Sequence, residues 1–79
     1  MVILKPLGLL KTYTDGQSER LVEAGQSVRQ ALVQVGIPPE VVALVVVKAS
    51  GDQPEEQQSK DYILQEGDTV RVLAVVGGG

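Results

Sequence analysis

The 79-residue sequence contains no cysteine, no histidine, no tryptophan and no phenylalanine. Without cysteine there is no disulfide, no thiolate metal site and no sulfur nucleophile. Without histidine, the side chain most used as general base and metal ligand is missing. The ten acidic residues are spread over turns and strand edges, so no carboxylate-only catalytic constellation forms either. The seven Lys and Arg residues are equally dispersed, and at a net charge of −3 no concentrated basic patch exists for nucleic-acid phosphates; a basic protein partner fits better. No run approaches the roughly 20 apolar residues that cross a bilayer, and Met1-Val2-Ile3-Leu4-Lys5 is too short for a signal-peptide core. The expectation is a cytoplasmic protein without membrane or nucleic-acid contacts, and not a self-contained enzyme.

What is present is aliphatic. With 43% hydrophobic residues but no Phe or Trp, the core has to be assembled from Val, Leu, Ile and Ala, and clustered β-branched residues favour strands. A chain this short buries only about 60% of its unfolded surface, which leaves room for one core and one domain.

Val2 to Lys5 reads as a first strand stopped by Pro6, and Glu19 to Glu23 as a second, returning after the turn signal Thr14-Asp15-Gly16. Between them Leu7, Leu9, Leu10 and Tyr13 are more hydrophobic than a short turn needs. They read equally as an exposed apolar patch for a partner or as residues buried under the sheet edge.

Ser27 followed by Gln30 is a capping-box pair, and Val28, Ala31, Leu32 and Val35 recur at i, i+3, i+4 and i+7, which predicts a helix ended by Gly36 and Pro38-Pro39. Val41 to Val47, nearly all β-branched, reads as a third strand. Ser50 to Asp61 is polar and reads as a solvated loop, with Asp52, Glu55 and Glu56 in water. Tyr62-Ile63-Leu64 is a short strand or a single helical turn. Gln65-Glu66-Gly67-Asp68 is then a tight turn, read as a turn and not as a metal or phosphate site, into a last strand Thr69 to Val76. This order predicts an α+β, ubiquitin-like β-grasp: a mixed four- to five-stranded sheet with the first and last strands side by side in its middle and one helix packed across a face. Residues 1–74 would form the domain and 75–79 a flexible glycine tail.

Three stretches resemble the ThiS and MoaD sulfur carriers: Glu23-Ala24-Gly25-Gln26-Ser27-Val28 with Leu32 beyond it, Leu64-Gln65-Glu66-Gly67-Asp68-Thr69-Val70, and the terminal Gly78-Gly79. The resemblance implies that a ubiquitin-activating-type adenylating enzyme activates the carboxylate of Gly79, and that sulfur replaces AMP to give a thiocarboxylate. A sulfur-accepting biosynthetic enzyme, of thiamine or molybdopterin type, then receives the sulfur. Val76, Gly77 and Gly78 would thread the partner. The chain would need no cofactor or metal of its own and would be a monomer when free.

Physical reasoning supports the same end of the chain. Five extended residues reach at most roughly 16–18 Å, and glycines lack the Cβ that would block a narrow channel or an attacked carbonyl. Neither the Phe-Pro that often precedes molybdopterin-type tails nor the Asn-Gly of thiamine-type carriers is present, so the pathway stays open. Two other readings also stay open: a ubiquitin-like modifier joined to lysines through Gly79, and a plain β-grasp interaction domain with an inert tail.

Overall fold

Alternation of buried and outward residues sets the sheet. In β1 (Val2–Pro6) Val2, Leu4 and Pro6 are buried, and in β5 (Thr69–Ala74) Val70 and Val72 are buried, so each strand lines one side of a shared core. The computed structural model describes residues 1–74. Five strands form one sheet in the order β2-β1-β5-β3-β4, with β2 at Arg20–Val22, β3 at Val42–Lys48 and β4 at Glu55–Gln58. Strand β1 runs parallel to β5, with Ile3 opposite Thr69 and Pro6 opposite Val72; the other neighbours are antiparallel. The first and last strands thus lie side by side in mid-sheet, as the element order predicts.

The helix α1 (Val28–Val35) forms where the capping box places it. The Ser27 hydroxyl accepts from the Gln30 N–H (3.1 Å), and the Gln30 carboxamide oxygen accepts from the Ser27 N–H (2.9 Å). The two N–H groups before Gln30 find partners in another segment: Val28 donates to the Tyr62 carbonyl and Arg29 to the Lys60 carbonyl. Val28, Ala31, Leu32 and Val35 are buried against the sheet. At the other end Gly36, at φ +89°, donates to the Val33 carbonyl, and Ile37 donates to that of Leu32. This is a Schellman motif with Ile37 and Leu32 both in the core.

Several sequence readings need correction. Pro6 does not precede the strand's end but is its last residue. The N–H groups of Ile3 and Leu7 point to β5, so position 6 faces β2, whose pairing has already ended at Leu4 opposite Arg20; no ladder bond is lost. The second strand is shorter than 19–23, and the third starts at Val42, because Pro39–Val41 form a 3₁₀ turn.

The solvated loop 50–61 contains β4, a polar edge strand paired with β3 and braced by Arg71 and Glu55 (3.1 Å). Tyr62 to Leu64 makes a single bridge, Ile63 opposite Ser27. Leu9 to Tyr13 lie in a 3₁₀ segment, Gly8–Thr14, and the two readings of its apolar residues divide: Leu10 is buried, whereas Leu9 and Tyr13 are exposed. The last two residues assigned to the final strand, Val75 and Val76, lie outside the described residues, as does the predicted tail 75–79.

The turn before β5 is clamped. Asp68 is 2% exposed, and its carboxylate accepts from the Gln65 N–H at 2.8 Å and from the Tyr62 hydroxyl at 3.4 Å. Gly67 has φ +88°, and a Cβ there would stand 3.0 Å from the Ser50 Cβ, so both conformation and space require glycine. Two substitutions test these local devices by urea denaturation. Ser27→Ala should lower stability by about 1 kcal/mol through the lost cap, and Asp68→Ala by about 1 kcal/mol through the loss of the part-buried bond from the Gln65 N–H.

Candidate functional site

The predicted site residues, Val76, Gly77, Gly78 and Gly79, all lie outside the described residues. What the structure does define is the place from which they depart. On one side β5 loses its partner when β1 ends at Pro6 opposite Val72, the last bond being Leu7 N–H to the Val72 carbonyl (3.0 Å). On the other side the ladder reaches Val42 opposite Ala74, one step beyond a bulge that shifts the register between Val42 and Leu44. Before Val42 the chain turns into the 3₁₀ turn Pro39–Val41 and offers no strand backbone. Both neighbours of β5 are therefore used up by Ala74.

The surface around this point is apolar. Leu44 pairs with Leu73 on the sheet face away from α1, and both are half-buried. The 3₁₀ segment Gly8–Thr14 packs against β5 and carries Leu9, 66% exposed, and Tyr13. Further along the same face comes a row in which Lys5 lies beside Arg71, and Arg71 beside Val46. Acidic partners sit toward the edges: Glu19 lies 3.6 Å from Lys5, and Glu55 lies 3.1 Å from Arg71. These exposed pairs fix side-chain positions more than they stabilise, since such pairs are worth about 0–1 kcal/mol.

Sequence reading missed this arrangement because an almost unbroken apolar strand, Val41–Val47, does not say which of its residues face outward. The alternation of Thr69-Val70-Arg71-Val72 signals that one face of the sheet is open to solvent, and the β3 residues paired with it inherit that exposure. No group of three or more His, Cys, Asp or Glu side chains that could hold a metal occurs among the described residues, and no helix there is long and apolar enough to cross a membrane.

A mixed sheet with its first and last strands side by side in the centre and one helix across a face defines a ubiquitin-like β-grasp protein. The crystal structure of SAMP1 from Haloferax volcanii shares this fold at a TM-score of 0.59, with 20% identity over 99% of this chain and 98% of that one. The ThiS family model matches residues 7–79, and the chain belongs to the ThiS family. Comparison with curated proteins gives no match.

The titration of Tyr62 is shifted, and it lies at the opposite end of β5 from the tail. Burial raises its phenol above the ordinary value, and the Asp68 carboxylate, the hydrogen bond to it and Glu56 act in the same direction. A raised phenol value means that the fold favours the neutral form. The stabilisation is full below the ordinary phenol pKa of about 10 and is lost as pH rises above it. In a Tyr13→Phe protein Tyr62 is the sole phenol. Its absorbance titration should have a midpoint above the value of free tyrosine; a midpoint at that value would contradict the assignment.

Proposed function

We propose that this chain is a sulfur carrier whose reacting group is the carboxylate of Gly79. The observation that carries the reading is the position of β5: a central strand, held by β1 on one side and β3 on the other, after which the sequence continues to Val76-Gly77-Gly78-Gly79. Membership of the ThiS family supports it.

A carboxylate is a poor electrophile. In the proposed sequence an oxygen of the Gly79 carboxylate attacks the α-phosphorus of ATP in the adenylating partner, pyrophosphate leaves, and an acyl-adenylate forms. A sulfide-level donor, hydrosulfide, then attacks the carbonyl carbon, AMP departs and a proton is released, leaving a thiocarboxylate for a sulfur-accepting biosynthetic enzyme of thiamine or molybdopterin type. Gly77 to Gly79 present no Cβ along this path. The chain contributes no cofactor; ATP belongs to the partner, and the setting is the cytoplasm. The apolar pair Leu44 and Leu73, with Leu9 exposed on the 3₁₀ segment that packs against β5, is read as the part that seats on the adenylating partner, because these residues lie toward the end of β5 after which the sequence continues to the glycines.

Mass spectrometry after incubation with an adenylating enzyme, ATP and a sulfur donor should show the exchange of one oxygen for sulfur at the C-terminal glycine. An unmodified mass with the cognate enzyme would refute the proposal. The same acyl-adenylate also reacts with a lysine amine, so the modifier reading shares every step up to the transfer; lysines in cells that carry the tryptic remnant Val72 to Gly79 would establish it. Leu9→Asp should slow activation at least several-fold while changing stability by no more than about 0.5 kcal/mol, as for other exposed positions.

A further inference from the structure

The edge strand β4 has two unlike sides. Glu55 and Gln57 pair with Lys48 and Val46 on the open face, whereas Glu56 and Gln58 pair with Val47 and Val45 and so turn to the side of the helix. There Glu56 and Gln58 join Val47, Ala49, Pro54 and Tyr62 around a cavity of about 90 Å³. Sites for cofactors and drug-sized ligands run to about 300–1,000 Å³, so this one has room for the end of a single side chain.

Its composition narrows the choice. Val47, only 4% exposed, lies at the bottom, Ala49, Pro54 and the Tyr62 ring supply apolar surface, and Glu56 and Gln58 supply acceptors. Among the described residues Glu56 has no cation within ion-pair distance, whereas Glu19, Glu55, Glu66 and Asp61 each have one. The nearby Lys48 lies in the outward row and spends its ammonium on the Gly51 carbonyl (3.1 Å). The Asp68 carboxylate stands at the Tyr62 hydroxyl, so it and Glu56 place two acidic groups beside the ring.

An aromatic wall, an apolar floor and an unpaired carboxylate together match one side chain in particular. A guanidinium is planar, stacks on an aromatic ring, tolerates partial desolvation and offers paired N–H donors to a carboxylate, while its aliphatic stem covers apolar surface. We propose that this cavity receives an arginine side chain of a partner protein. Val42, which marks the tail's departure, and Val47 are five residues apart on β3, about 17 Å at the usual strand rise. A partner using both would span the length of β3, and one using the cavity alone would leave the tail free. The inference is independent of the chemistry at Gly79.

The test is a ¹⁵N–¹H NMR titration of the full chain with acetyl-Gly-Arg-Gly-amide, and with the same peptide carrying citrulline, the neutral isostere of arginine. Saturable shifts should concentrate on Val47, Glu56, Gln58 and Tyr62. The citrulline peptide should bind more weakly, and Glu56→Gln should weaken the arginine peptide, each by roughly two- to five-fold. Because Glu56 is an exposed strand residue, the variant should keep the wild-type spectrum elsewhere. Equal responses to the two peptides, indifference to Glu56→Gln, or unsaturated shifts spread over every acidic segment would each overturn the proposal.

Discussion

The parallel pairing of β1 with β5 is the constraint from which the rest of the molecule follows. Parallel strands cannot be joined by a tight turn, so everything between Pro6 and Thr69 acts as the crossover. The crossover has to supply a helix to cover one face and strands to complete both sides, and it does so with α1 on the core side, β2 beyond β1, and β3 and β4 beyond β5. Ile3 meets Thr69 only after the whole chain has been laid down, which makes this a long-range contact of the kind that forms slowly. Local devices ease it. The Asp68 clamp, the Gly67 turn and the bonds from Val28 and Arg29 to residues 62 and 60 hold the start of β5 near the start of α1.

Much of this was legible. The Ser27–Gln30 box, the four apolar positions of α1, Gly36 and the turn at Gly67-Asp68 are decided within a few residues, and each is found where the spacing puts it. The element order was enough to place the terminal strands together. What escaped notice depends on neighbours distant in sequence. Glu55-Glu56-Gln57-Gln58 is polar on both faces and has no strand signature of its own; it is extended because β3 offers a free edge and Arg71, two strands away, offers a charge. Leu44 and Val46 look like core residues until the register with Leu73 and Arg71 turns them outward.

The site follows the same division. The proposed role of the glycines rests on the chain alone, because it follows from their lack of side chains. The surroundings could not be read: Leu44 and Leu73 meet only through the register of β3 with β5, and the 3₁₀ segment that carries Leu9 packs on β5 from far away in sequence. The structure and the sequence therefore speak to different halves of the same device, the first to its base and the second to its tip.

The two-sided support of β5 has a mechanical meaning. A pull on the residues beyond Ala74 runs along the strand axis, across hydrogen bonds to β1 on one side and β3 on the other. Bonds loaded this way share the force and must slip together, whereas an edge strand such as β4, peeled from its end, would give way one bond at a time. Under the proposed function, a tail held by a partner would be attached to the part of the sheet that resists tugging best, and the domain would serve as a handle by which it is drawn back out still folded.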